Sequence, residues 1–305
     1  MDRRAFLKLN LHGMMLAATA PTLLALPDAA SAATPDVCIA KGSPAEATRA
    51  AINGLGGMGR FVKAGQRVLI KPNMSFAQGV ESATTTHPEV VRALVVMCKE
   101  AGASWIRVLD NSLQDAELSL QRSGIRDACN SVQDGICFHL MSESFYQEAS
   151  IVGAKQMMRN AFMKDALAAD VIISAPVAKS HSSTGVSLCL KGQMGLILDR
   201  RSMHWKYDLA ESIVDLNLKM KPALSVIDAT RVLSTGGPGG PGTILTPGEV
   251  IASADPVAAD ATAVASYEWY GRKVQPRQVK YIRLAHERGL GRMDIENLTT
   301  QRVTA

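Results

Sequence analysis

Five hydrophobic runs of this chain end at a charged, imidazole or amide side chain. The residues at these ends are Lys71 and Asn73, Asp110, Lys179 and His181, Asp228, and Asp255. In an open α/β sheet, ligands bind in the crevice outside the carboxyl ends of the strands. Asp and Asn are common turn residues, but lysine is a weak one. The two lysines therefore favour a shared binding site over five unrelated turns.

Basic side chains concentrate between positions 171 and 205. After a Val-Ile-Ile run, this stretch carries Lys179, His181, Lys191, Arg200, Arg201 and His204. A lysine that is partly removed from water binds an anion or loses its proton near neutral pH. A histidine in reach of such a site acts as a general acid or base. Taken alone, the stretch also fits a solvated basic loop.

We predict that the rim formed by these strand ends binds an anionic small molecule or cofactor. The predicted catalytic residues are Lys179, His181 and His204, and the predicted ligand-binding residues are Lys71, Asn73, His87, Asp110, Lys191, Asp228 and Asp255. His87 begins a helix, where amide groups bind anions, but a capping role explains it equally well. His181 and His204 also suit a metal shared with a rim aspartate, although they lack i, i+4 spacing. Whether a metal binds stays open, and no cofactor is identified.

Short hydrophobic strands alternate with helices over most of the chain. Strands are predicted at 36–41, 67–70, 105–109, 136–141, 171–173, 224–227 and 250–253, and helices at 44–55, 87–101, 116–129, 161–168, 209–220, 257–270 and 278–288. This alternation predicts an α/β fold with a mostly parallel sheet and helices on both faces, a three-layer, Rossmann-like arrangement. The Gly/Pro run at 236–242 is either a flexible lid over the rim or a plain linker.

Residues 1–32 are typical of a twin-arginine export signal. Arg3 and Arg4 precede Phe-Leu-Lys, an apolar segment follows, and Ala-Ser-Ala ending at Ala32 is a small-residue cleavage site. A histidine, a glycine and a proline interrupt the apolar segment, which argues against a permanent membrane anchor. We expect the twin-arginine translocation machinery to export the folded protein to the periplasm. Residues 33–305 would then form a single α/β domain.

The formal charge of +5 and the five cysteines narrow the partners and cofactors. No Lys/Arg run is interleaved with aromatic residues, so we do not expect nucleic acid as a partner. No two cysteines form a CxxC pair, so we expect neither an iron–sulfur cluster nor a structural zinc site. Cys129 and Cys137 are spaced for a disulfide in an oxidising compartment, although spacing alone does not set its geometry.

Several ordered motifs of the chain resemble the DUF362 family. They are VLIKPN at 68–73, THPEVV at 86–91, KSH at 179–181, LKGQMG at 190–195, the Gly/Pro loop, and ADPVAAD at 254–260. The resemblance spans nearly all of residues 33–305 and implies the fold and the place of the site, whereas the family's name declares its function unknown. The family typically reads Lys-Asn where this chain has Lys191-Gly192. Many relatives carry ferredoxin-like cysteine motifs, and their absence here means that the family's iron–sulfur association is not expected to transfer.

Two functions fit these observations. The first is an exported enzyme that binds an anionic small molecule or cofactor at the rim, in a redox-linked or metal-assisted reaction. The second is a non-catalytic periplasmic accessory or solute-binding protein that uses the same pocket without turnover. Export fits either function.

Overall fold

The computed structural model describes residues 34–140 and 142–305, so the predicted export signal lies outside the described residues. Its strands are β1 (Val37–Lys41), β2 (Arg67–Pro72), β3 (Trp105–Val108), β4 (Tyr146–Ser150), β5 (Arg159–Met163), β6 (Val171–Ala175), β7 (Val177–His181), β8 (Gly185–Ser187), β9 (Leu224–Leu233), β10 (Ile244–Leu245), β11 (Glu249–Ser253), β12 (Glu268–Trp269), β13 (Arg272–Lys273) and β14 (Thr300–Thr304). Its α-helices are α1 (Pro44–Gly54), α2 (Pro88–Glu100), α3 (Ala116–Ser123), α4 (Ile125–Asn130), α5 (Lys164–Ala168), α6 (Cys189–Gly192), α7 (Ser202–Trp205), α8 (Leu209–Lys219), α9 (Pro256–Ser266) and α10 (Lys280–Glu287). In this part of the chain, no helix has the length and apolar character needed to cross a membrane.

One large sheet runs through the molecule, with the strand order β14-β1-β11-β9-β6-β2-β3. β6 is parallel to both β2 and β9, and β2 is parallel to β3. β11 is reversed, because it runs antiparallel to both β1 and β9. The predicted α/β fold with a mostly parallel sheet is confirmed. The carboxyl ends of β2, β3, β6 and β9 share one rim of the sheet. The carboxyl end of β11 lies on the opposite side, at the amino ends of those strands.

Alternate side chains of the strands enter two hydrophobic cores, one on each face of the sheet. Val68 and Ile70 of β2 pack in one core with residues of α1, α2 and α4, whereas Leu69 lies in the other with residues of α8, α9 and α10. This alternation follows from the two-residue repeat of a strand. Helices cover both faces because parallel strands are apolar on both sides.

The hairpin of β4 and β5 replaces the first half of a predicted helix. The prediction of a helix over 161–168 is wrong up to Met163, because β5 pairs antiparallel with β4 and only α5 is helical. Phe162 and Met163 are buried in this arrangement. Tertiary packing therefore overrides the alanine-rich local pattern, which favoured a helix.

Two further elements differ from the prediction between β3 and β4. The helix predicted over 116–129 divides into α3 and α4 at Gly124, whose φ of 69° is left-handed and ends a helix. The strand predicted over 136–141 is reduced, in the residues that are described, to a single bridge between Val108 and Cys137.

A further strand follows Ala175, where the sequence suggested that the strand ended in a basic turn. β7 pairs in parallel with the second half of β9, with Val177 opposite Asp228 and Lys179 opposite Leu233. Its hairpin partner is β8. Lys179 and His181 therefore lie in a strand that extends the sheet beyond the rim, with positions set by backbone pairing.

Candidate functional site

A buried ion pair between Lys71 and Asp110 lies at the ends of β2 and β3. Lys71 Nζ is 2.9 Å from Asp110 Oδ1, and both side chains are about 2% exposed or less. The ammonium also donates to the Pro72 carbonyl over 2.7 Å. Asp110 Oδ2 accepts from Met74 N at 2.9 Å and from Ser75 Oγ at 2.7 Å. Burial lowers the pKa of Lys71, and the Asp110 carboxylate opposes that shift.

Gly195 makes room for this ion pair. A Cβ atom at position 195 would lie 1.9 Å from Asp110 Oδ1 and 2.5 Å from Lys71 Cε. Gly195 lies in a short 3-10 helix, Gln193–Leu196, and its carbonyl accepts from Asn111 N at 2.9 Å, which joins this helix to the end of β3. Glycine is therefore needed here for close approach of the backbone to two charged side chains.

Lys179 lines the same cavity as the ion pair and has its own contacts. Its Nζ donates to the Thr84 carbonyl over 2.7 Å and lies 4.9 Å from the centre of the Phe76 ring. Burial lowers the pKa of Lys179 to about 7, although the nearby Asp110 carboxylate acts in the opposite direction. A cation over an aromatic face is favourable, so Phe76 supports the charged form.

Lys191 lies on α6 and is 7% exposed. Among residues 34–140 and 142–305, its ammonium has neither a hydrogen-bond partner nor a carboxylate within 4 Å. Burial lowers its pKa to about 7, and the charges of Arg200 and Lys71 add to the effect. The start of α6 is held by Asp260 of α9, whose carboxylate accepts from the backbone N–H groups of Cys189 and Leu190 at 2.8 and 3.1 Å.

The two histidines of the predicted site are close together but differ in exposure. The rings of His181 and His204 are 6.2 Å apart and within 13° of parallel. His181 is buried, and its Nδ1 accepts from Ser183 N at 3.1 Å. Burial, followed by the charge of Lys191, lowers the pKa of His181 to about 3. His204 is exposed, and its pKa is also lowered by partial burial and by Lys191 and Arg200.

These side chains line a cavity of about 130 Å³, which we call the cationic cavity. Its lining residues are Lys71, Asn73, Ser75, Phe76, Asp110, Leu113, Lys179, His181, Ser187, Lys191, Gly192, Met194, Gly195, Arg200, Arg201, His204 and Pro238. Asp110 is the one carboxylate among them and is already paired with Lys71. The cavity therefore carries an excess of positive charge on Lys179, Lys191 and half-buried Arg200. In the described part of the chain, no carboxylate lies within 4 Å of these three groups. Buried charge of one sign needs a counter-ion, so the arrangement suits a small anion.

Asn73 lines the cavity while holding two strands in place. Its backbone N–H donates to Thr86 Oγ1 at 2.9 Å, and its side-chain oxygen accepts from Val177 N at 3.2 Å. The Thr86 hydroxyl in turn donates to the Ala175 carbonyl over 2.7 Å. Asn73 therefore joins the end of β2 to the start of β7.

His87 and Asp228 lie near the rim but do not line the cationic cavity. His87 caps α2, since its Nδ1 accepts from Glu89 N at 3.1 Å. Fully buried Asp228 accepts from His87 N at 2.7 Å and from the Arg231 guanidinium at 2.8 Å. Its other oxygen accepts from Thr230 N and the Thr230 hydroxyl. These contacts assign a capping role to His87 and internal pairing to Asp228, and ligand contact by either residue stays a prediction.

Asp255 lies at the amino ends of the neighbouring strands, on the side of the sheet opposite to the rim. The prediction that it lies at the rim is therefore wrong. It follows β11, and the reversal of that strand carries its end away from those of β2 and β3. The Asp255 carboxylate accepts from Val257 N and Ala258 N at the start of α9, and from Arg292 N at 2.7 Å. It acts as a helix cap, a common use of aspartate.

Several cavity residues were not predicted as site residues. Arg200 was visible as part of the basic stretch, but nothing in the pattern separated it from exposed Arg201. Ser75 and Phe76 come from the loop after β2, where periodicity carries no information. The Gly/Pro run packs against the site, since Gly237 N donates to Ser180 Oγ at 2.9 Å and Gln78 donates to the Gly239 carbonyl at 2.6 Å.

The described part of the chain contains no group of three or more His, Cys, Asp or Glu side chains arranged to hold a metal ion. All five cysteines are buried free thiols. The Cys129 thiol, followed by burial, raises the pKa of Cys137 well above its ordinary value, and Cys137 Sγ lies 4.0 Å from Met74 Sδ.

Comparison with known sequences identifies the family. The profile described as "Domain of unknown function (DUF362)" matches residues 68–265. This range is more than half of the chain, so the chain belongs to the DUF362 family. It contains all the motifs on which the resemblance was based and leaves residues 1–67 and 266–305 outside the match.

Two further comparisons place the chain among known proteins. The thylakoid-associated protein sll1697 of Synechocystis sp. (strain ATCC 27184 / PCC 6803 / Kazusa) is 26% identical over 204 residues, which are 65% of this chain and 62% of that protein. The match thus spans less than two thirds of the relative's length. The lactate racemase apoprotein from Thermoanaerobacterium thermosaccharolyticum aligns with a TM-score of 0.35 and 12% identity, over 62% of this chain and 50% of that one. A likeness at this level carries no argument about fold or function.

Proposed function

We propose that this DUF362 protein is an exported enzyme that binds a small anionic substrate in the cationic cavity. The observation that carries the proposal is the charge imbalance there. Lys179, Lys191 and Arg200 line one cavity, and no described carboxylate within 4 Å offsets them. An anion would supply the missing negative charge, and binding it would recover the electrostatic cost of burying these cations.

The cavity volume supports a small substrate over a large cofactor. At about 130 Å³ the cavity is well below the roughly 300–1,000 Å³ of sites for drug-sized ligands. A nucleotide or dinucleotide would extend outside it. An acid of a few carbon atoms, or inorganic phosphate, matches the space and the charge.

Enzymatic turnover is favoured over simple binding by the protonation behaviour of the lysines. Burial brings the pKa of both Lys179 and Lys191 to about 7. Groups that titrate at the working pH suit proton transfer, whereas a site that only holds an anion gains from lysines that stay fully charged. In the proposed reaction, Arg200 and Lys179 hold the anion, and Lys191 lies beside it for acid–base chemistry, with the neutral ring of His181 as a hydrogen-bond donor in the same cavity.

A thermal-shift experiment on the full chain tests anion binding. We expect phosphate, oxalate or glyoxylate to raise the melting temperature, since a ligand at one hundred times its Kd adds about 2.7 kcal/mol of stability. Lys191→Met should lose the effect. Lys41→Met, which removes an exposed lysine that does not line the cavity, should keep it. No stabilisation by any of these anions, or equal loss in both variants, would contradict the proposal.

Native mass spectrometry of protein recovered from its own host distinguishes turnover from storage. A bound anion that the protein converts on incubation supports an enzyme. A bound anion that is recovered unchanged after prolonged incubation supports the non-catalytic accessory or solute-binding alternative instead.

Export is tested separately through the paired arginines. Arg3→Lys/Arg4→Lys should retain the precursor in the cytoplasm, because the twin-arginine route depends on that pair. A single replacement at Asp2 serves as the matched control. Normal periplasmic accumulation of the double variant would refute the proposed route without affecting the proposed site.

A further inference from the structure

The three lysines of the cationic cavity differ in what their nitrogen atoms contact. Lys71 Nζ is engaged by Asp110 and the Pro72 carbonyl. Lys179 Nζ donates to the Thr84 carbonyl and lies over Phe76. Lys191 Nζ has no such partner in the described part of the chain. It is the amine of the cavity that is free to react with a ligand.

Lys191 also interacts electrostatically with most of the other charged groups of the cavity. It acts electrostatically on Lys179, His181 and His204, and Arg200 and Lys71 act on it in turn. Cations on several sides disfavour a further positive charge at this point, and deprotonation of the unpartnered amine relieves the repulsion at least cost. Burial acts in the same direction. The neutral amine is the form of lysine that attacks a carbonyl carbon.

We propose that Lys191 forms a Schiff base with a small 2-oxo acid, whose carboxylate is held by the neighbouring cations. This inference rests on the proposed function and narrows its substrate class from anions in general to anions with a carbonyl group next to the carboxylate. Two features of the cavity select that class together. The neighbouring Lys179 and Arg200 recognise the carboxylate, and the unpartnered amine reacts with the adjacent carbonyl.

The covalent step balances without an oxidant or a reductant. The lone pair of Lys191 Nζ adds to the carbonyl carbon, and the carbonyl π electrons move to oxygen, which takes up a proton from the nitrogen. The resulting carbinolamine then loses water: its hydroxyl group leaves with the remaining N–H proton, and the nitrogen lone pair forms the C=N bond. The sum is one amine and one carbonyl giving one imine and one water.

His181 is placed to assist the loss of water. It lines the same cavity, and its Nδ1 accepts a hydrogen bond from Ser183 N. The neutral ring therefore carries its proton on Nε2. That N–H group is the donor for the carbinolamine oxygen, and the low pKa of His181, about 3, keeps the ring neutral and avoids adding another cation to the cavity.

Borohydride trapping tests the inference directly. The full chain is incubated at neutral pH with glyoxylate and sodium cyanoborohydride, whose hydride adds to the imine carbon and leaves a stable secondary amine. Peptide mass spectrometry then follows the adduct at Lys191 and at exposed Lys41. We expect Lys191 to react at least about tenfold faster, because an ordinary exposed lysine, with a pKa near 10.4, is almost wholly protonated at this pH.

Oxalate and a charge-conserving variant provide the controls. Oxalate has the carboxylates without a reactive carbonyl, so it should suppress the adduct at Lys191 and leave that at Lys41 unchanged. Lys191→Arg keeps a cation and loses the nucleophile, so it should bind oxalate and show no cavity adduct. The competition in the unaltered protein does not depend on the folding of this variant.

The outcomes separate this inference from the proposed function. If oxalate stabilises the protein but Lys191 reacts no faster than Lys41, or the adduct forms on Lys179, the Schiff base is refuted and anion binding stands. If oxalate has no effect and no selective adduct forms, both are refuted. A fast, oxalate-sensitive adduct at Lys191 establishes the covalent step.

Discussion

Replacing Lys191 by methionine should make the ligand-free protein more stable. In the folded protein, burial and the neighbouring cations lower the pKa of this lysine from 10.5 to about 7. At about 1.4 kcal/mol per pH unit, this corresponds to about 5 kcal/mol against the charged form. Relaxation of the cavity and entry of water reduce that cost. Since methionine fills similar space without charge, we expect a gain of about 1–3 kcal/mol at acidic to neutral pH.

The gain should depend on pH in a defined direction. The folded-state pKa lies below the unfolded one, so the unfolded chain binds the extra proton between pH values of about 7 and 10.5. The cost of Lys191 is thus fully present below the lower value and disappears as the pH rises towards the upper one. The stability difference between Lys191→Met and the unaltered protein should shrink over that window.

Urea denaturation of the two proteins at about pH 6, 7.5 and 9 measures this difference, with the midpoint and slope fitted at each pH. Lys41→Met is the matched control and should stay within about 0.5 kcal/mol of the unaltered protein throughout. Lower stability of Lys191→Met at every pH would refute the reasoning, because it would mean that the ammonium has a stabilising partner. A gain that does not change with pH would refute the assignment to charge burial.

Three further substitutions separate structural from binding roles. Lys71→Met should destabilise the protein by about 3–5 kcal/mol in urea denaturation, because the Asp110 carboxylate is left buried without a counter-charge. Adding Asp110→Asn should recover most of the lost stability. A mild effect of Lys71→Met alone would contradict a structural role for the ion pair. Gly195→Ala should lower the stability of the protein by about 1–3 kcal/mol and weaken oxalate binding, because its Cβ would lie 1.9 Å from Asp110 Oδ1. An unchanged oxalate affinity in calorimetry would argue against a role for the ion pair in binding. Gly192→Asn should fold normally, since its Cβ would meet Pro176 Cβ at an ordinary 3.7 Å, and the added amide should tighten oxalate binding in the same calorimetric assay.

Inspection of strand ends identified much of the cationic cavity but not all of it. Lys71 and Asp110 meet because they end neighbouring parallel strands, and an α/β sequence pattern predicts that arrangement. Asp255 follows a run with the same appearance, yet β11 is antiparallel and faces the other way. Strand direction depends on which strand pairs with which, and a local hydrophobic pattern carries no record of that choice.

Lys71 and Lys191 show which properties of this protein its sequence determines and which its tertiary structure decides. The sequence by itself determined the α/β class, the family and the presence of several basic residues near strand ends, because these follow from local periodicity and ordered motifs. Both lysines looked alike at that level. Only the tertiary structure decided that Lys71 meets Asp110 while Lys191 meets no described carboxylate. Electrostatic pairing depends on distance through space between residues far apart in the chain, and folding sets those distances.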